Sequence, residues 1–103
     1  MKVEIQGHVY HLQNFEDVEG TQEIMFVHKE PITEGSTELK TAHDGTTNEE
    51  VLKMLINRMY FLQGKMLSRE NSIVITKLEE CLMWLEKRTA DRQIRGVEGT
   101  FVK

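Results

Sequence analysis

The strongest constraint on this chain lies in its last third. From Ser68 to Arg95 the apolar residues Val74, Ile75, Leu78, Cys81, Leu82 and Leu85 recur with helical period. Ser68 stands where an N-cap belongs, and Gly96 stands where a left-handed C′ residue belongs. A helix of that length with one apolar stripe needs a partner along the stripe. The preceding segment supplies one. Thr47-x-x-Glu50 is a capping box, and Val51, Leu55, Met59, Leu62 and Met66, widened by Leu52 and Ile56, form a second stripe. Gly64 weakens that helix near its end. The spacing therefore predicts an antiparallel helical hairpin over residues 48–103.

Residues 1–47 read differently. Val3, Ile5 and Val9 alternate with Glu4, Gln6 and His8, a half-buried strand pattern. Gln22 to His28 is a second strand, apolar at its centre, and Thr37 to Thr41 is a weaker third one. Residues 14–20 and Asp44-Gly45 are turns. The expected fold class is α+β: a small N-terminal antiparallel sheet, then the hairpin, in one domain spanning 1–103. So small a chain buries a modest fraction of its surface, which favours oligomerisation.

Charge bounds the partners. The chain carries −4 overall. Residues 1–47 hold three lysines against nine carboxylates, whereas 48–103 hold ten basic residues against eight acidic ones. An acidic chain is a poor general binder of nucleic acid polymers, because phosphate contacts dominate that affinity. A local basic pocket for a small anion is compatible with this distribution. No apolar run is long enough to span a bilayer, the N-terminus has no signal-peptide pattern, and the lone Cys81 excludes an internal disulfide framework.

Arg88, Arg92 and Arg95 fall on one helical stripe, followed by Gly96-Val97-Glu98-Gly99-Thr100. Guanidinium groups hold phosphate bidentately, and glycines let backbone N–H groups approach a ligand. On spacing alone, ion pairing with Asp91 and the negative end of the helix dipole is the simpler account. This is not a P-loop, because the glycines follow the helix. Tyr60 and Phe61 point about 100° apart, so one of them must leave the core stripe. Trp84 is a further aromatic suited to packing or to stacking on a base. Asn71, Arg69, Ser72 and Thr76 gather at the start of the second helix, suited to an anion or to a solvated helix end. The four histidines give no convincing metal-ligand spacing, since His8 and His11 fall on opposite faces of a strand. No nucleophile with a base, and no carboxylate pair in an apolar setting, argues for catalysis.

The run Arg69-Glu70-Asn71-Ser72, Thr76-Lys77-Leu78-Glu79-Glu80, Met83-Trp84-Leu85, Arg88-Thr89, Arg92 and Arg95 through Thr100 resembles the C-terminal hairpin of bacteriophage sponge proteins. These sequester the cyclic nucleotide signals of bacterial immunity. One related group opposes CBASS defence and is mostly helical. The other opposes Thoeris defence and places a β-rich part before the hairpin, as residues 1–47 do here. The resemblance implies a non-enzymatic protein, with no cofactor and no metal, in the cytoplasm of the infected bacterial host. It implies pockets between protomers of a homo-oligomer, a dimer at least and a hexamer by extension. In one pocket, for a cyclic ADP-ribose-type signal, Phe61 would stack on adenine, Asn71 would hydrogen-bond the ligand, and Arg88 and Arg92 would hold the pyrophosphate beside Thr100. In a second, for cyclic di- or trinucleotides, Arg69, Ser72 and Thr76 would take part. The rival expectations are a cyclic-oligonucleotide sponge alone and a hairpin that docks on a host protein.

Overall fold

A computed structural model describes all 103 residues. The chain forms two compact units, Met1–Thr47 and Asn48–Lys103. The element types are those expected for α+β: strands first, then two helices.

The first unit has five strands instead of three. Strands β1 (Lys2–Ile5), β2 (Val9–Gln13) and β3 (Thr21–Met25) make an antiparallel sheet in that order. Strands β4 (His28–Pro31) and β5 (Leu39–His43) make a separate antiparallel pair. The alternation expected as one strand from Val3 to Val9 is broken at Gln6–His8 by a turn with Gly7 at φ 82°. The His8 N–H donates to the Ile5 carbonyl at 2.9 Å there. Folding back lets this short segment pair with itself, which a period-2 pattern cannot reveal. The run expected as one strand from Gln22 to His28 is likewise divided. Its centre, Phe26 and Val27, leaves β3 and is met by the returning segment at Thr46. Val27 N–H donates to Thr46 O at 2.9 Å, and Thr46 N–H donates to Met25 O at 2.9 Å. Gly45 makes that approach feasible. A Cβ on it would lie 2.5 Å from the Met25 carbonyl oxygen and 2.6 Å from the Phe26 carbonyl carbon. The core of this unit is thin. Val9 is its one buried apolar residue, and Tyr10 meets Phe26 edge-to-face at 5.9 Å between ring centres.

In the second unit, α1 (Asn48–Lys65) begins directly after Thr47, where the capping box places it. Helix α2 (Arg69–Arg95) begins after Ser68, whose backbone is extended and whose hydroxyl accepts the Asn71 N–H at 3.0 Å. Gln63 clamps the connection. Its amide oxygen accepts the Ser68 N–H at 3.1 Å, while its Nε2 donates to the Ser68 carbonyl and to Ser72 Oγ at 3.0 and 2.6 Å. At the far end Gly96 is left-handed, at φ 72°. Its N–H donates to Gln93 O and the Val97 N–H to Arg92 O, the paired bonds of a Schellman cap.

The packing stripe is narrower than the sequence pattern. Ile75 is buried, and Leu78, Leu82 and Leu85 are half-buried, as are Val51, Leu52, Ile56, Met59 and Leu62 opposite. Val74, Cys81, Leu55 and Met66, assigned to the stripe from sequence, are exposed. A single helix partner covers one sector of α2, and neighbours a step of 100° away fall outside it. Helix α2 is also nine residues longer than α1. About 13 Å of it, the arginine end, therefore has no helix against it.

Candidate functional site

The arginine end is built by that overhang and by the tail that follows the Schellman cap. Trp84, Lys87, Arg88, Asp91, Arg92, Arg95 and Lys103 line a cavity of about 240 Å³. The ion pairing expected of Asp91 goes to Lys87, at 2.8 Å. That leaves the three arginines to distinct fates. Arg88 is exposed, and its guanidinium makes no hydrogen bond or ion pair within the chain. Arg92 is buried, 5% exposed, and is the partner of the tail. Its Nη2 donates to the carbonyls of Val97 and Thr100, each at 2.8 Å, and its Nη1 donates to the Val102 carbonyl. Its Nε donates to Glu98 at 3.1 Å. A guanidinium can sit buried at low cost only when its fork of donors is filled in this way. Arg95 donates to the Lys103 carbonyl. The Thr100 hydroxyl is spent locally, donating to the Val97 carbonyl at 2.6 Å.

The resemblance implies a ligand-facing role for both Arg88 and Arg92. In this structure Arg92 carries most of the structural bonding, and Arg88 is the available cation. Glu98, which helps to hold Arg92, carried no signal in the sequence beyond its place between two glycines.

The other expected residues lie at the opposite end of the hairpin. Phe61, near the end of α1, is 60% exposed, with Lys65 Nζ 5.4 Å from its ring centre. Asn71 sits in the first turn of α2, half-buried, its backbone N–H committed to Ser68. Arg69, Ser72 and Thr76 follow on successive turns and are exposed. The Ser72 and Thr76 hydroxyls donate to the carbonyls four residues back, Ser68 and Ser72, at 3.3 and 3.1 Å. Asn71 and Arg88 are separated by 17 residues of continuous helix, about 25 Å. One chain therefore cannot close Phe61, Asn71, Arg88 and Arg92 around one small ligand.

Between the two ends, a larger groove of about 690 Å³ runs along the helices, lined by Lys53, Ile56, Asn57, Tyr60, Glu79, Leu82, Met83 and Glu86. Its two carboxylates against one lysine make it a poor anion site despite its size. Tyr60 donates to Glu79 at 3.1 Å and bridges the helices. That hydrogen bond to a carboxylate, then some desolvation and the Glu79 charge, holds the phenol's pKa above its ordinary value.

The comparisons with known proteins meet the same hairpin. The family model "Acb2/Tad1, hairpin domain" matches residues 26–90. That stretch contains Phe61, Arg69, Asn71, Ser72, Thr76 and Arg88, and stops short of Arg92 and Thr100. A Bacillus phage SBSphiJ7 protein described as "Thoeris anti-defense 1" is 54% identical over 61 residues, covering 58% of this chain and 43% of the relative. The chain thus matches less than half the length of that relative. With the family pattern running through most of α1 and α2, the chain belongs to the Acb2/Tad1 hairpin family, the bacteriophage sponge family that its sequence resembles.

Proposed function

We propose that this protein is a phage immune-evasion protein that binds a cyclic ADP-ribose-type signal, holds it without cleavage, and so blocks Thoeris defence in the cytoplasm of the infected host. The carrying observation is an unpaired Arg88, in a cavity rich in basic groups, on a hairpin of this family. The name of the phage relative supports the anti-Thoeris direction. Arg88 meets the pyrophosphate first. Arg92 positions the tail, and joins the ligand by exchanging tail carbonyls for phosphate oxygens, a stronger acceptor. Thr100 moves with that tail.

Phe61 and Asn71 come from a second copy of the chain, because 25 Å of helix separates them from Arg88 within one chain. A homo-oligomer also suits a hairpin that leaves Met54, Tyr60, Met83 and Trp84 more than half exposed. The start of α2, with Arg69, Ser72 and Thr76, is the proposed place for cyclic di- or trinucleotides.

Sequestration works by mass action, so the affinity must hold free signal below the effector's threshold. A nanomolar Kd, about −12 kcal/mol, suffices. Isothermal titration of the purified protein with cyclic ADP-ribose isomers and with 3′,3′-cyclic GMP–AMP tests this reading. Tight binding of an ADP-ribose isomer, with the ligand recovered intact after denaturation, supports it. No binding of any of them at micromolar concentration refutes it. Arg88→Ala should weaken the ADP-ribose-type ligand by about tenfold to a hundredfold, the worth of a charged hydrogen-bond pair, and leave the melting temperature unchanged.

A further inference from the structure

The N-terminal sheet gathers three metal-ligating groups that the nucleotide reading does not use. His11 on β2 lies directly opposite Glu23 on β3. On β1, Glu4 is the extra residue of a β-bulge between the Val3–Tyr10 and Ile5–Val9 pairs. The bulge turns its carboxylate toward His11. His11 Nε2 lies 3.0 Å from Glu4 Oε1 and 3.9 Å from Glu23 Oε2, and one donor atom from each of the three residues lies within 4.8 Å of the others. Each strand of the sheet contributes one donor. The imidazole is only 20% exposed and is held against the sheet.

The charges do not balance within this group. Two carboxylates share one imidazole nitrogen. Lys2, the cross-strand partner of His11 on β1, pairs with neither of them. The group is net negative, and its donors are one imidazole nitrogen and two carboxylate oxygens. That set is the one zinc and its neighbours accept, with metal–donor bonds of about 2.0–2.2 Å and donors about 3.3 Å apart in a tetrahedron. The unit also has reason to use such a tie, since a small domain with one buried apolar residue, Val9, has little core to hold three strands together.

We propose that Glu4, His11 and Glu23 form a binding site for a divalent transition-metal cation that ties β1, β2 and β3 together. The test uses the full chain with any affinity tag removed. Zn²⁺ is titrated calorimetrically, Co²⁺ is followed by its visible absorption, and thermal unfolding is recorded with and without Zn²⁺. One ion per chain at sub-millimolar affinity is expected, with a higher melting temperature in its presence. His11→Ala, which deletes a donor outright, should weaken binding by more than the roughly tenfold to hundredfold that loss of an outer hydrogen-bond partner costs. Glu23→Gln, nearly isosteric and on the surface, should weaken it in the same direction while far-UV circular dichroism stays native. Absence of saturable binding below millimolar Zn²⁺ overturns the proposal. So does unchanged affinity in both variants, which would place the ion elsewhere on the chain. Neither result bears on nucleotide binding, so the two readings fail separately.

Discussion

The two units of this chain are built by opposite means. In the helical hairpin almost every boundary has a local cause. Ser68 caps α2, Gln63 clamps the turn, and Gly96 closes the far end, each within a few residues of what it bonds. In the β unit the decisive contacts join distant segments. Thr46 comes back to Met25 and Val27, and the His28 ring stacks on His8 at 3.8 Å between ring centres. Local devices give a stiff rod that presents side chains at fixed spacing. Distant pairings give a small folded patch whose form depends on register. The first suits a site assembled from repeated copies of one helix. The second suits a site assembled from neighbouring strands.

Perturbing one device at a time sharpens that contrast. The largest change in stability is expected from Arg92→Ala. It removes a buried guanidinium that holds Glu98 and three tail carbonyls, at a cost of about 1.5–3 kcal/mol. Amide hydrogen exchange should accelerate over residues 97–102 while Arg88→Ala leaves it unchanged. Equal effects of the two variants would mean that the tail does not depend on Arg92. Gly45→Ala comes next. Its Cβ would strike backbone that cannot give way, so about 1–3 kcal/mol of overpacking strain should fall on the β unit. Exchange protection at Val27 and Thr46 is the readout, and a wild-type melting curve would show that the crossing can open.

Ser68→Ala should lower stability by about 1 kcal/mol, the ordinary worth of an N-cap, by denaturant unfolding followed through Trp84. Gln63→Ala, which strips the same turn, should add less than its separate effect when combined with it. The smallest effect is electrostatic. The Tyr60 pKa is raised by its hydrogen bond to Glu79, so the protonated phenol is the form the fold favours. Its contribution is present below the ordinary tyrosine range and is lost as pH rises through the higher folded value. Ultraviolet titration should show Tyr60 ionising above the ordinary tyrosine range, and Glu79→Gln should bring it back toward that range. A titration curve unchanged by Glu79→Gln would contradict the bond.

Helical period, the caps and the single stripe of Arg88, Arg92 and Arg95 were all legible in the amino-acid order, because they rest on neighbours three or four residues apart. The division into a β-rich and a helical half was legible for the same reason, from a period of two giving way to one of 3.6. The strand count was not. Gly7 and the Phe26–Val27 crossing break runs whose alternation looks continuous, and only pairing with Val9 or Thr46 decides where they break. The fate of each arginine was not legible either. Arg92 is claimed by backbone carbonyls of the tail, and a carbonyl is the same in every residue, so nothing in the sequence marks which cation it will take. Nor could the histidines' spacing along the chain reveal Glu4, His11 and Glu23 as a group. Those donors come from three strands, and they meet only because register and a bulge place them side by side.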